Sequence, residues 1–304
     1  MPRQFTLPAF AAVACIALMA AGCAAPDDGT STAGSKPSAS VTAVAKDPAI
    51  AAKLPADIRK SGVVRVASGV SFPPMEYFDA DGKTVLGLDA DLGKALGEVL
   101  GVKFTFQNTN FDGIIGGLKA GRYDLSLTSM IDKKERQADV DFIEYLNSGV
   151  TFMTTKANPK HLVTKLDLCG KTVAVEKSAT GDIVGDDVTA ECKAGGKPGL
   201  KELPFPDQAS AVQALKSDRA DAVLALDLTL AFNVKQDSKS FVMPGKPFGL
   251  LPVGIPVPKK TPQLRDAVQA ALLKVQESGA YDQILAKWNL SDQALDGAPL
   301  NQGK

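Results

Sequence analysis

The apolar and polar positions follow two different periods along the chain. Val63-Val64-Arg65-Val66-Ala67 is short and β-branched, which predicts a strand, and Val102 to Phe106 predicts another. Between them, Asp79-Ala80-Asp81-Gly82-Lys83 predicts a turn. Leu88, Leu92, Leu96 and Val99/Leu100 then recur at helical spacing, which predicts a helix from about Asp89 to Leu100. Asp89 and Asp91 fall in its first turn, where the helix dipole favours anions. Gly93 and Gly97 weaken this helix but allow close packing on a sheet. A longer helical stretch runs from Pro262 to Trp288. Its stripe of Leu264, Val268, Ala271/Leu272 and Val275 is interrupted at Gly279 and resumed by Tyr281, Ile284, Leu285 and Trp288. Aromatics at that spacing are core. The last sixteen residues are polar and are expected to be loose, with 292–304 forming a tail. Strands alternating with helices predict an α/β fold with a largely parallel sheet.

One pattern occurs twice. Leu118-Lys119-Ala120-Gly121-Arg122-Tyr123-Asp124 matches Leu215-Lys216-Ser217-Asp218-Arg219-Ala220-Asp221 at Leu, Lys, Arg and Asp with identical spacing. Each copy closes a helical segment and leads into an apolar strand, Leu125-Ser126-Leu127 or Ala222-Val223-Leu224. Upstream, Gly62-Val63-Val64-Arg65-Val66 has its counterpart in Gly170-Lys171-Thr172-Val173-Ala174-Val175. Two copies are too few for a solenoid and suit two similar α/β lobes.

Composition narrows the chemistry. At ~150 residues per domain, 304 residues make one large or two medium domains. Lys+Arg 34 against Asp+Glu 34 leaves no basic excess, which argues against nucleic acid as a partner. A single histidine, His161, excludes sites built from several His ligands and argues against a Ser-His-Asp hydrolase. No metal and no cofactor is expected. The only long apolar run, Pro8 to Ala21, is shorter than the ~20 residues of a membrane span.

Residues 1–22 have the layout of a secretory signal: Arg3, an apolar stretch, then Ala20-Ala21-Gly22 before Cys23. The segment resembles a bacterial lipoprotein signal, in which the cysteine is lipidated and becomes the mature N-terminus. It departs from that pattern at Ala20, where Leu is usual. The alternative is an ordinary cleaved signal beside an incidental cysteine. Ala24 to about Ala45 is Ala, Ser, Thr, Gly and Pro, too apolar-poor to fold, and 23–57 is expected to be the lipidated Cys23 and a flexible tether. The chain is therefore expected to be exported and lipid-anchored at the outer face of the membrane. With Cys15 lost in the signal and Cys23 lipidated, Cys169 and Cys192 remain as a pair in an oxidising compartment, where a disulfide is the default.

Five segments in order resemble the amino-acid-binding family (family 3) of bacterial ABC-transporter solute-binding proteins. They are Phe72-Pro73-Pro74-Met75-Glu76-Tyr77; Gly87-Leu88-Asp89-Ala90-Asp91-Leu92; Asp124-Leu125-Ser126-Leu127-Thr128-Ser129 through Glu135-Arg136 to Val140-Asp141-Phe142; Leu168-Cys169-Gly170-Lys171-Thr172-Val173-Ala174-Val175; and Gly279-Ala280-Tyr281 through Lys287-Trp288. The resemblance covers about residues 58–291. It implies a two-lobed, periplasmic-binding-protein-like (Venus flytrap) α/β fold with two hinge strands, closing as a monomer on a small ligand. Lobe 1 would be 58–149 plus 250–291 and lobe 2 150–249, with hinges near Ser148-Gly149-Val150 and Gly249-Leu250-Leu251.

The family's residues carry over position by position. Arg136 matches the arginine that clamps the ligand carboxylate, and a guanidinium fork does offer two parallel charge-assisted donors. In such a role it would face an open, wet cleft; otherwise it is one solvated charge in Asp132-Lys133-Lys134-Glu135-Arg136. Thr128 and Ser129 follow a strand and match positions that offer hydroxyl and backbone groups. Thr180 matches a lobe 2 position whose N–H meets the carboxylate at a helix start. A plain strand-end or N-cap role explains these three nearly as well. Phe72 matches the aromatic over the ligand side chain, with a core plug as the equal alternative. Glu76 either lines the lobe 1 wall or caps a turn.

Two positions depart from the family. Ile131 stands five residues before the arginine, where Ser or Thr is usual, and Leu226 stands where an Asp holds the ligand ammonium. Asp227 comes one residue later, which in a strand reverses the side chain unless a bulge restores it. The implied function is capture of an amino acid or similar zwitterion and delivery to an ABC permease, without catalysis. The alternatives are an enzyme on the same lobes, of the cyclohexadienyl dehydratase kind, and a ligand sensor docking a receptor. For an enzyme, Glu76, Glu176 and Lys177 are the nearby acid–base candidates, and they form no recognisable pair.

Overall fold

The computed structural model describes residues 41–303. The signal segment, Cys15, Cys23 and most of the tether lie outside the described residues.

Two short helices, α1 (Pro48–Ala51) and α2 (Ala56–Ser61), lead into β1 (Val63–Ser68). A small hairpin, β2 (Tyr77–Phe78) and β3 (Val85–Leu86), precedes α3 (Leu88–Leu100) and β4 (Lys103–Asn108), followed by α4 (Ile114–Lys119) and β5 (Leu125–Ser126). The long strand β6 (Val140–Thr155) crosses to the second half. There β7 (Thr172–Glu176), α5 (Thr180–Ala194), β8 (Lys201–Phe205), α6 (Gln208–Lys216) and β9 (Ala222–Leu226) repeat the first plan. Helix α7 (Asp227–Gln236) and β10 (Phe241–Val242) follow, and β11 (Phe248–Pro258) returns to the first half, which α8 (Pro262–Glu277) and α9 (Ala280–Trp288) complete.

The duplicated pattern folds into equivalent units. In the first, β1 lies between β4 and β5; in the second, β7 lies between β8 and β9, and every one of these pairings is parallel. The repeated aspartates do the same work in each unit. Asp124 accepts the N–H of Arg65 at 2.7 Å and donates its own N–H to Arg65 O at 2.9 Å. Asp221 accepts the N–H of Thr172 at 2.9 Å and donates to Thr172 O at 2.7 Å. The position three before each Asp turns the chain through the left-handed region: Gly121 has φ 73° and Asp218 φ 55°. Glycine adopts that conformation freely, and aspartate is among the few other residues that tolerate it.

Strand β11 pairs antiparallel with Val140–Val150 of β6, and both strands run through the two lobes. Val150 to Met153 of β6 also join β9, while Val140 to Asn147 stay with β11 in the first lobe. The crossover falls at Ser148–Val150 opposite Phe248–Leu251, where the register shifts between Phe248 and Leu250.

The predicted α3 stripe is buried, with Leu88, Leu92, Leu96, Val99 and Leu100 all at 1% exposure or less. Gly97 packs against Val102 O, so the weak helix former does admit a close approach. Trp288 is core as read, edge-on to Tyr77 at 6.1 Å, with Nε1 donating to Asp91 at 2.7 Å. Cys169 and Cys192 form a disulfide, Cα–Cα 5.7 Å, which ties the loop before β7 to the last turn of α5.

Two expectations are corrected. The tether does not extend to residue 57: Val44, Leu54 and Ile58 are buried in the lobe 1 core, and Asp47 N–H bonds Val99 O at 2.9 Å. Val44 and Leu54 dock it, with Val41 and Ile50 packed alongside. The tail is not loose. Asn301 N–H donates to Phe142 O, Asn301 Oδ1 accepts from Phe142 N–H, Gln302 N–H bonds Glu144 at 2.6 Å and Gly303 N–H bonds Asp132 at 2.8 Å. Buried carboxylates and an unpaired strand edge hold it by backbone bonds, which a hydropathy reading does not register.

Candidate functional site

A cavity lies between the lobes, at the C-terminal ends of the parallel strands of both units. Crevices at such strand ends are where open α/β sheets bind ligands, because loops and helix N-termini converge there. Gly69 follows β1, Phe111 follows β4, and Thr128 and Ser129 follow β5. From the other lobe come Glu176 at the end of β7, Ala179 to Gly181 at the start of α5, Gln208 at the start of α6, and Ala225 and Leu226 at the end of β9. Phe72 and Glu76 complete the wall.

Five of the seven residues singled out in the sequence meet here: Phe72, Glu76, Thr128, Ser129 and Thr180. Thr128 Oγ1 accepts the Gly69 N–H at 2.9 Å and donates to Glu76 Oε1 at 2.8 Å. Ser129 N–H donates to Asp89 at 2.9 Å, with its backbone held at φ 50°. Helix α5 has no side-chain cap at Ala179, so its first N–H groups are available at the cavity, where the helix dipole favours an anion. Its first turn packs tightly on β9, since a Cβ at Gly181 would collide with Leu224 O.

Arg136 is not in a wet cleft. It is 8% exposed; Nη1 donates to Ile131 O at 2.9 Å and Nη2 to Ser178 O of the other lobe at 2.6 Å. Its guanidinium stacks 5.4 Å from the centroid of Phe111, whose ring lines the cavity. Burial lowers its pKa to about 10, against the attraction of Glu135 and Asp132. Three of its five N–H donors have no protein partner in these bonds.

Asp227 is turned away from the cavity. No bulge interrupts the β6–β9 register, so Leu226 takes the wall position and Asp227 opens α7. Its carboxylate accepts from Ser148 Oγ at 2.8 Å and from Leu228 N–H at 2.7 Å, beside the crossover strands. Ile131 is fully buried and pairs with Val253 of β11.

Four site residues were not picked out as ligand contacts from the sequence. Phe111 and Gln208 line the cavity, and the buried Nε2 of Gln208 has no partner. Asp89 was read as a helix-dipole residue; it is buried and accepts the Tyr145 hydroxyl at 2.6 Å. Glu176, noted only as a possible acid, is 4% exposed. Desolvation dominates all three carboxyls. It pushes Glu176 up to about 8, with Asp207 and Asp112 adding repulsion. It pushes Asp89 up to about 6 against the bonds from Tyr145 and Ser129. Glu76, buried beside Asp89, is held well above the usual carboxylate range.

The cavity thus has the uncapped start of a helix on one side and buried carboxyls on the other. The profile of bacterial extracellular solute-binding proteins, family 3, matches residues 64–291. The chain belongs to that family. The arginine-binding protein ArgT of Corynebacterium glutamicum is 30% identical over 260 residues, 84% of this chain and 83% of that protein. An ancestral arginine-binding protein bound to arginine superposes with a TM-score of 0.69 at 33% identity, over 75% of this chain and 98% of its own. The ancestral amino acid-binding protein AncCDT-1, described as a precursor of cyclohexadienyl dehydratase, superposes with a TM-score of 0.69 at 30% identity, over 76% and 97%.

Proposed function

We propose that this family 3 protein captures an amino acid outside the cell and delivers it to an ABC permease, tethered through a lipid on Cys23. The observation that carries this reading is the cavity between the lobes, lined by the uncapped start of α5, with Arg136 stacked on Phe111 of its wall and bonded across the lobes to Ser178 O. The ligand carboxylate takes the free donors of Arg136 and the N–H groups of Thr180 and Gly181. Gln208 Nε2 supplies a further donor, and Thr128 and Ser129 shape the lobe 1 side. Phe72 and Phe111 cover the ligand's apolar part. The lobes move about the crossover at Ser148–Val150 and Phe248–Leu251, and the ligand shifts an open–closed equilibrium by its differential affinity for the closed form.

In this reading the site binds without catalysis: Lys177, one of the acid–base candidates, is 61% exposed and paired to Asp112 at 2.9 Å. A thermal-shift screen against amino acids, amines and small carboxylates tests the function. An amino acid is expected to raise the melting temperature with the logarithm of its concentration. Turnover of a cyclic carboxylate, or no response to any amino acid, would overturn the reading.

A further inference from the structure

The acidic end of the cavity has no resident cation. Glu176 comes from lobe 2 and Glu76 from lobe 1, and both line the cavity at 4% and 1% exposure. The Glu176 carboxylate has no hydrogen-bond donor among the described residues. It reaches across the cleft: a Cβ built on Gly69 of lobe 1 would lie 4.0 Å from its Oε1 and 3.6 Å from Thr128 Oγ1. Thr128 in turn donates to Glu76 Oε1, and Glu76, held protonated by burial, shares its proton with Asp89. The two carboxyls therefore converge on the space that Gly69, lacking a side chain, leaves open. Asp89 lies beside Glu76 and adds a third acid, already satisfied by Tyr145 and Ser129.

No basic side chain among the described residues is hydrogen-bonded to Glu176 or Glu76. Arg136 is bonded to the carbonyls of Ile131 and Ser178, and Lys177 to Asp112. Closing the lobes thus buries Glu176 without a positive partner, which is costly unless something positive enters with it. The place where the family's ammonium-binding Asp is usual holds Leu226, an apolar wall. The positive group is thereby directed to the Gly69 side of the cavity, away from Leu226.

We propose, resting on the amino-acid reading above, that Glu176 and Glu76 hold a guanidinium or ammonium on the ligand's side chain, so that the ligand class is the cationic amino acids. Glu176 is the specificity-determining residue, since it supplies a charge that only the closed state presents to the ligand. One lobe holds each carboxyl, so the cation also joins the lobes.

Calorimetric titration of the full chain at pH 7.5 with arginine, lysine, citrulline and glutamine tests this. Citrulline is nearly isosteric with arginine and lacks its charge. Arginine or lysine is expected to bind at least ~100-fold more tightly than citrulline, the size of effect a desolvated charge pair produces. Glu176→Gln, which keeps the shape, is expected to shrink that ratio at least tenfold while leaving citrulline within about threefold. Citrulline or glutamine binding as tightly as arginine would overturn the inference while leaving amino-acid capture intact. Loss of all amino-acid binding in Glu176→Gln would place the acid on the α-ammonium and overturn it equally. Silence toward every amino acid in the unaltered protein would overturn the broader reading as well. The arginine-to-citrulline ratio of the unaltered protein decides the matter even where the variant fails to fold.

Discussion

Arg136 shows how position changes what one side chain does. A guanidinium in a charged run is usually solvated, yet here it is buried and joins Ile131 O to Ser178 O across the lobes. Removing it takes donors from a bound carboxylate and also orphans two carbonyls. Arg136→Ala is expected to weaken amino-acid binding by ~2–5 kcal/mol, roughly 30-fold to several thousand-fold. It should also lower the stability of the unliganded protein by about 1–3 kcal/mol, the cost of unpaired buried acceptors. Arg136→Lys should recover only part of the affinity, because an ammonium cannot reproduce the planar fork. Titration calorimetry and thermal denaturation of both variants check this; unchanged affinity in Arg136→Ala would remove the arginine from the site. Asp227 is the converse case. Its identity suggested an ammonium contact, but a single position along β9 placed Leu226 at the cavity and Asp227 on Ser148.

At the scale of elements, the two units are positioned by their ends. The carboxylate site depends on where α5 begins, and α5 is fixed at both ends: Gly181 against β9 at its start, Cys192 bonded to Cys169 at its finish. The disulfide closes a separation of 23 residues. In the loop-entropy description that is worth roughly 3 kcal/mol, gained by restricting the unfolded chain. Reduction is therefore expected to lower the melting temperature by about 6–12 °C, at ~2–4 °C per kcal/mol for a domain of this size, without abolishing the fold. Thiol labelling of denatured, unreduced protein should find neither cysteine; two reactive thiols there would contradict the bond. The docking of 41–57 and of 296–303 belongs to this scale too. Residues 41–57 are mostly small apolar residues and 296–303 has few apolar residues of any kind; both are held by backbone bonds to groups that the folded lobe presents.

For the whole molecule, the question is what closing the lobes costs when the cleft is empty. Glu176 is the acid that the contact between lobes buries, with Asp112 and Asp207 nearby and Glu76 facing it. Its pKa rises from 4.5 to about 8. The buried form binds a proton that the exposed form lacks between those values, so rising pH opposes closure: the empty closed form is favoured below about pH 4.5 and loses that advantage through about pH 8. Small-angle scattering of the unliganded protein is expected to give a larger radius of gyration at pH 9 than at pH 5. Glu176→Gln should flatten that difference, and saturating ligand should remove it. An unliganded radius independent of pH would show that Glu176 does not govern closure.

The sequence by itself determined the local periods and the duplication. The α3 stripe and the split of the C-terminal helix at Gly279 follow from apolar spacing among chain neighbours, and Asp124 and Asp221 stood out as a repeat although their bonds reach distant Arg65 and Thr172. The Cys169–Cys192 pair was also legible, because counting cysteines needs no coordinates. Five of the seven candidate contacts lie together because the family's segments end on the same strand tips. Only the tertiary structure decided the rest. Burial changed the role of Asp89, covered within its own lobe by Tyr145 and Ser129, and of Arg136, which meets Ser178 of the other lobe, and it made Glu176 a cavity group. Side-chain direction at Leu226 and Asp227 depended on where β9 stops pairing, a property of its partner β6. The tail and the start of the folded region were decided by edge groups elsewhere in the chain that needed hydrogen-bond partners, and no local pattern announces that need.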